Sequence, residues 1–251
     1  MSDPPLFLYA LRLADTALVL GHRLSEWCGH APVLEEELAL ANMGLDLIGQ
    51  ARLIYAYAGE TEGRGRGEDA LAYLRDAGEY RNILLVEQPN GDFAFTMVRQ
   101  LFHAAFAHPF YEAMAASRDS TLAAIAKRSA RELAYHVRHA GEWVIRLGDG
   151  TEESHRRAQD AVDELFAYTG EMFETDEIDR VLIASGVAVD PGSIRPTFER
   201  TVAEILGAAT LSLPRGRWMQ SGGRAGRHSE HLGHLLAELQ FMQRAYPGSS
   251  W

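Results

Sequence analysis

Cysteine is nearly missing from this sequence: Cys28 alone stands among 251 residues. One thiol builds neither a disulfide framework nor a thiolate metal site, which suits a reducing compartment. Beside Trp27 it reads as a small buried hydrophobe rather than a nucleophile. Long uncharged apolar runs are also lacking. The N-terminal stretch MSDPPLFLYALRLADTALVL is interrupted by Arg12 and Asp15, so neither a secretory leader nor a membrane span is expected, and a cytoplasmic protein is. Basic charge is short, with 24 Lys and Arg against 35 Asp and Glu and a formal net charge of -11, which disfavours nucleic acid and anionic membranes as partners. No Gly-rich nucleotide fingerprint, no repeat of fixed period and no sustained apolar–polar alternation is found, so strands are not expected.

What is present is helical periodicity. The stretch Pro32 to Ala58, PVLEEELALANMGLDLIGQARLIYAYA, opens with proline and three glutamates, which suit the first turn and the dipole of a helix. Leu34, Leu38, Ala41, Leu45, Ile48, Arg52 and Tyr55 recur at spacings of three and four and define one face. A first helix is expected from Pro4 to about Trp27, with Phe7, Leu11, Ala14, Leu18 and Leu24 as its stripe. A Gly/Arg loop spans Glu62 to Glu68, and short helices cover Asp69–Asp76 and Glu79–Val86 before the breaker at Pro89. Helix three runs from Asp92 to Ser117 with Pro109 inside it, a cause of kinking near His108. Helix four begins at the caps Asp119 and Ser120 and reaches Leu147. Helix five covers Thr151 to Phe173, a short helix Asp176–Ser185, helix six Ile194 to Leu211, and a last helix Glu230 to Tyr246. Long helices and short connections imply an all-α, ferritin-like four-helix bundle with additional C-terminal helices, as one domain over residues 1–251.

Di-iron proteins of this architecture carry inward carboxylates on two helices and Glu-x-x-His on the other two. The corresponding positions here are Ala17 on helix one, Leu47 and Gln50 on helix two, Phe95 on helix three, and Leu133 and His136 on helix four. Hydrocarbon has no lone pair to give a metal, and Glu132, at i−4 from His136, projects to one side. Asp15 lies off the helix-one stripe. His136 therefore reads as a hydrogen-bonded core residue, and neither a metal nor a catalytic residue is expected. A second candidate is the last-helix set His228, Glu230, His231, His234 and Glu238, which could hold zinc or iron with His103, His108 or His139, or form a polar interface. A third is the loop PRGRWMQSGGRAGRHS, whose Arg215, Arg217, Arg224 and Arg227 could hold the phosphates of a ligand such as coenzyme A or face a partner. The aromatics of helix three (Phe93, Phe95, Phe102, Phe106, Phe110, Tyr111) read as core.

The segments HRLSEWCGHAPVLEEELALANMGLDLIGQAR, NILLVEQPNGDFA, HVRHAGEWVIRLGDGT, GVAVDP and HSEHLGHLLAELQ, in that order, carry a resemblance across nearly the whole length. The chain resembles the C-subunit family of the ring-1,2-phenylacetyl-CoA epoxidase, a bacterial multicomponent monooxygenase. The resemblance implies a structural subunit without a catalytic centre or cofactor of its own. It also implies partners: a paralogous catalytic A subunit that carries the di-iron centre, a small B subunit, and a flavin/iron–sulfur reductase E. The Glu-x-x-His pairs of the catalytic paralogue fall on Leu47/Gln50 and on Leu133/His136.

Overall fold

The computed structural model describes residues 3–249, and every regular element among them is a helix. The chain forms two compact units, Met1–Pro89 with Gly222–Trp251, and Asn90–Ser221. The fold is all-α, of the ferritin-like class, and each unit is built on one pair of long helices. Among the described residues no helix is long and apolar enough to cross a membrane.

In the first unit α1 (Pro5–Ser25) opens with proline in its first turn, where the missing N–H costs nothing. It packs along α2 (Leu34–Glu62). The pairing is antiparallel: Gly21 meets Gly44, and Asp15 meets Tyr55 one stage further along. A Cβ on Gly21 would stand 3.2 Å from the Gly44 carbonyl oxygen, so these glycines let the two backbones come close. The stripe expected on α1 is buried throughout, from Phe7 to Leu24.

On α2 the expectation is corrected. The residues turned to the core are Leu40, Met43, Leu47, Gln50 and Ile54. Of the face picked out by periodicity, Leu34, Leu38 and Leu45 stand in solvent, 68%, 57% and 66% exposed, and Tyr55 is buried at its edge. At 3.6 residues per turn the two seams lie roughly 160° apart on one helix. Both repeat at helical spacing, so periodicity could not choose between them. Cys28 is also corrected: it is exposed, in the turn after α1, where its N–H bonds Ser25 O (3.1 Å).

Helix α2 continues one turn past Ala58 and ends at Gly63, whose φ of 71° is the left-handed conformation that closes a helix. The chain then folds back so tightly that a Cβ on Gly59 would fall 2.1 Å from the Arg66 carbonyl oxygen. A backbone atom cannot move aside as a side chain can. Gly59→Ala is therefore expected to lower stability by about 1–3 kcal/mol, readable as a shift in the urea midpoint. Short α3 (Glu68–Tyr73) and α4 (Leu84–Glu87) follow.

The second unit pairs α5 (Phe93–Met114) with α6 (Ser120–Gly148), again antiparallel, with Phe93 against Trp143 and Gln100 against His136. Asp92 and Asp119 cap them, accepting the N–H groups of Phe95 and Leu122 at 2.9 Å each. α5 runs through Pro109 to Met114. Phe102, Phe106, Phe110, Phe166, Phe173 and Phe198 form one aromatic cluster, with Phe173 and Phe198 5.2 Å apart. The helix expected from Thr151 to Phe173 stops at Leu165 (α7, Glu152–Leu165) and continues as 3-10 turns. The reason is tertiary: Ala167 O accepts from Gln220 N–H (2.7 Å), and Met219 packs against Gly170. α8 (Glu177–Ala184) and α9 (Arg195–Ala208) complete this unit.

The last expected helix, in the first unit, breaks into α10 (Glu230–Leu239) and α11 (Phe241–Ala245). At the break, buried Gln240 donates through Nε2 to Ala72 O (3.1 Å) and Arg75 O (2.9 Å), satisfying carbonyls where α3 ends.

Candidate functional site

The first unit places Ala17, Leu47 and Gln50 in its interior, with Leu47 and Gln50 one turn apart on the buried face of α2. In the second unit Leu133 and His136 are likewise buried one turn apart on α6. The i, i+3 geometry that the sequence implies is therefore retained. Its residues are two hydrocarbons, an amide and an imidazole. Phe95 is half-buried at the outer end of α5, against Gly91 and beside a cleft lined by Asp92, Arg156 and Arg157.

The polar residues buried along α5 and α6 include Arg99, Gln100, His103, His136 and His139. Gln100 Nε2 donates to His136 Nδ1 at 3.1 Å, which leaves the ring proton on Nε2. Glu132 turns outward and pairs with Arg128 (3.0 Å), so it does not support His136. Burial, with smaller contributions from His136 and Arg99, pushes the His103 pKa down to about 3 and keeps that ring neutral at physiological pH. Imidazoles, an amide and a guanidinium offer no anionic oxygen and do not fit a carboxylate-bridged di-iron group, whose cations need such oxygens for balance. Among the described residues no group of three or more His, Cys, Asp or Glu is placed to hold a metal ion.

The last-helix candidates are not gathered into a shell. Glu230, His234 and Glu238 are exposed, and His231 is half-buried with its carbonyl 3.4 Å from Arg23 Nη2. The arginines divide as well. Arg215 and Arg217 are exposed in the second unit, while Arg224 and Arg227 belong to the first.

Sequence reasoning missed two buried polar networks, both in the first unit. Asp15, fully buried, accepts from Arg75 Nη1 (3.1 Å) and Nη2, from the Tyr55 hydroxyl, and from the Arg81 backbone N–H (2.7 Å). Burial alone would lower the Arg75 pKa, yet the Asp15 carboxylate beside it raises it on balance. Burial and the same carboxylate push Tyr55 well up. The second network gathers on Glu87, also fully buried, which accepts from Ser229 N–H (2.6 Å), His228 Nδ1 (2.8 Å) and Asn82 Nδ2 (3.0 Å). A signal for Asp15 existed. α1 is apolar on nearly every side, so a carboxylate within it has to be buried and paired.

A helical chain that keeps inward i, i+3 positions on two long helices is a protein of the ferritin-like class. Over residues 1–251 it matches the family model described as phenylacetic acid catabolic protein, and the chain belongs to that family. It is 48% identical over 243 residues to the C subunit of 1,2-phenylacetyl-CoA epoxidase from Escherichia coli (strain K12), with 97% of this chain and 98% of that one covered.

Proposed function

We propose that this chain is the noncatalytic structural subunit of a phenylacetyl-CoA epoxidase, a cytoplasmic complex in which it binds and stabilises the di-iron catalytic A subunit. The small B subunit, with reductase E, completes the assembly. The observation that carries the reading is the filling of the inward positions. Ala17, Leu47 and Leu133 are buried hydrocarbon where metal ligands would be needed, and Gln50 and His136 are neutral groups. The helices are kept and the donors are not. The relative's designation as one subunit of an epoxidase supports a hetero-oligomer, and the di-iron centre belongs to the catalytic partner.

The test is elemental analysis joined to reconstitution. The purified chain is expected to hold iron far below stoichiometry, to co-purify with the catalytic partner, and to be required, with that partner, for oxygen-dependent turnover of phenylacetyl-CoA. Stoichiometric iron with turnover by the isolated chain would overturn the proposal. Saturable titration of coenzyme A onto the isolated chain, lost on removing Arg215 and Arg217, would replace it with a ligand-binding role.

A further inference from the structure

Helix α2 buries one apolar seam and leaves a second in solvent. Leu34, Leu38, Ala41, Leu45, Ile48 and Arg52 follow one another at intervals of four, three, four, three and four residues. That is the a/d repeat of a helix-to-helix seam, narrower than the broad stripe a helix needs to settle on its own core. Leu34, Leu38 and Leu45 are among the most exposed large apolar residues described. From 34 to 52 the seam extends roughly 27 Å at 1.5 Å per residue, five turns of a partner helix. A contiguous apolar strip of this kind on a protein surface marks an interaction site.

At its C-terminal end the seam opens into a cleft of about 290 Å³, lined by Ile48, Arg52 and Tyr55 with Leu18, Asp69 and Tyr73. The cleft suits one bulky side chain from the end of a packed helix. The surroundings are acidic. Glu35 and Glu37 lie beside the first turn of the seam, and Glu68 and Asp69 at the cleft. The base on this face, Arg52, is already bridged to Glu68 at 2.9 Å. A second copy of the chain would bring the same acidic margin, and its one seam base, Arg52, is held by Glu68. An anionic lipid surface would be repelled.

We infer that the outer seam of α2 receives an amphipathic helix from another subunit of the same complex, one carrying Lys or Arg along the edges of its own apolar seam. This rests on the subunit reading above and adds where and how the contact is made. Such a helix buries Leu38 and Leu45 at the centre of the contact, where packing contributes most, and meets Glu35 and Glu37 at the rim, where charge acts chiefly on encounter rate.

The experiment uses the full chain co-expressed with the other subunits. It compares wild type, the double variant Leu38→Arg/Leu45→Arg, and the control Leu74→Arg, which alters a residue 59% exposed in the same unit but off the seam. Circular dichroism and melting of each purified chain show whether the fold is kept, as it should be where the replaced side chains stand in solvent. The double variant is expected to weaken the complex at least about 100-fold, with the control unchanged. Glu35→Lys/Glu37→Lys is expected to slow association at low salt. A double variant that assembles like wild type would overturn the seam assignment and leave the subunit reading standing. Wild type that forms no complex with any of the other subunits would overturn both. A wild-type dimer of the isolated chain that the double variant abolishes, with the hetero-complex intact, would assign the seam to a second copy instead. Faster association of the Glu→Lys variant would overturn the basic flank.

Discussion

Asp15→Ala is expected to lower the unfolding free energy by about 3–5 kcal/mol, the loss typical when one partner of a buried ion pair is removed. At this chain length that is a fall in melting temperature on the order of 10 °C. Asp15 is where four elements meet. It accepts from Tyr55 on α2, from Arg75 after α3, and from the Arg81 backbone N–H near the start of the α4 segment. Arg75 also donates to Leu71 O (2.5 Å) and Glu79 O (3.0 Å) and lies 4.4 Å from the centre of the Tyr80 ring. With the carboxylate gone, a guanidinium that cannot shed its proton stays buried among neutral groups: the Leu71 and Glu79 carbonyls, the Tyr55 hydroxyl and the Tyr80 ring. Asp15→Asn separates the causes. It keeps the shape and part of the hydrogen bonding, so a loss close to that of Asp15→Ala assigns the effect to charge. The double variant Asp15→Ala/Arg75→Ala is expected to lose clearly less than the sum of the single losses, because neither charge is then left alone. Strict additivity in chemical denaturation would show that the pair is not coupled.

Glu87→Ala is expected to cost about 3 kcal/mol, because Ser229 N–H, Asn82 Nδ2 and His228 Nδ1 lose their buried acceptor, and to release the C-terminal segment around His228 and Ser229 from the first unit. Hydrogen exchange read out over residues 222–245 would detect the release before global unfolding. The protonation of His228 follows from geometry. Nδ1 faces Glu87 Oε2 at 2.8 Å and Nε2 faces Tyr80 O at 3.0 Å. Both neighbours only accept, so both nitrogens must donate, and only the imidazolium can do that. Burial by itself would lower the pKa of this ring. The hydrogen bonds to Glu87 and to Tyr80 O, with the Glu87 charge, outweigh burial and raise it above its ordinary 6.5.

The sign for stability follows from linkage. A histidine raised in the folded state binds its proton more tightly there than in the unfolded chain. Its contribution is complete below the unfolded value and is lost as the pH climbs through the raised folded value. Denaturation from about pH 6 to about pH 9 should show wild type losing stability along this limb, while His228→Asn starts lower and stays flatter. A wild-type profile that rises with pH across that window would contradict the doubly donating ring.

Much of the fold was legible in the residues. Pro4 at the start of α1, Asp119 as the cap of α6, and recurrence at three and four placed the long helices to within a few residues, because these signals act within one or two turns. The inward positions were legible for the same reason: an i, i+3 pair shares a face wherever the helix sits, and Leu47/Gln50 and Leu133/His136 do. The interruption of α7 was not legible, since the groups responsible, Met219 and Gln220, lie about fifty residues on. Nor was the break at Gln240, whose amide serves carbonyls more than 160 residues earlier in the chain.

By itself, then, the order of residues determined a helical, acidic chain in which Leu47 shares a face with Gln50 and Leu133 with His136. Only the tertiary structure decided which apolar seam of α2 turns inward, since both seams have the same period and the choice depends on what α1 offers at Gly21, Leu18 and Asp15. It alone decided the partners of Asp15 and Glu87. Burying a charge demands an opposite charge within hydrogen-bond reach, and Arg75 stands 60 residues from Asp15 and His228 141 residues from Glu87, distances no local pattern spans.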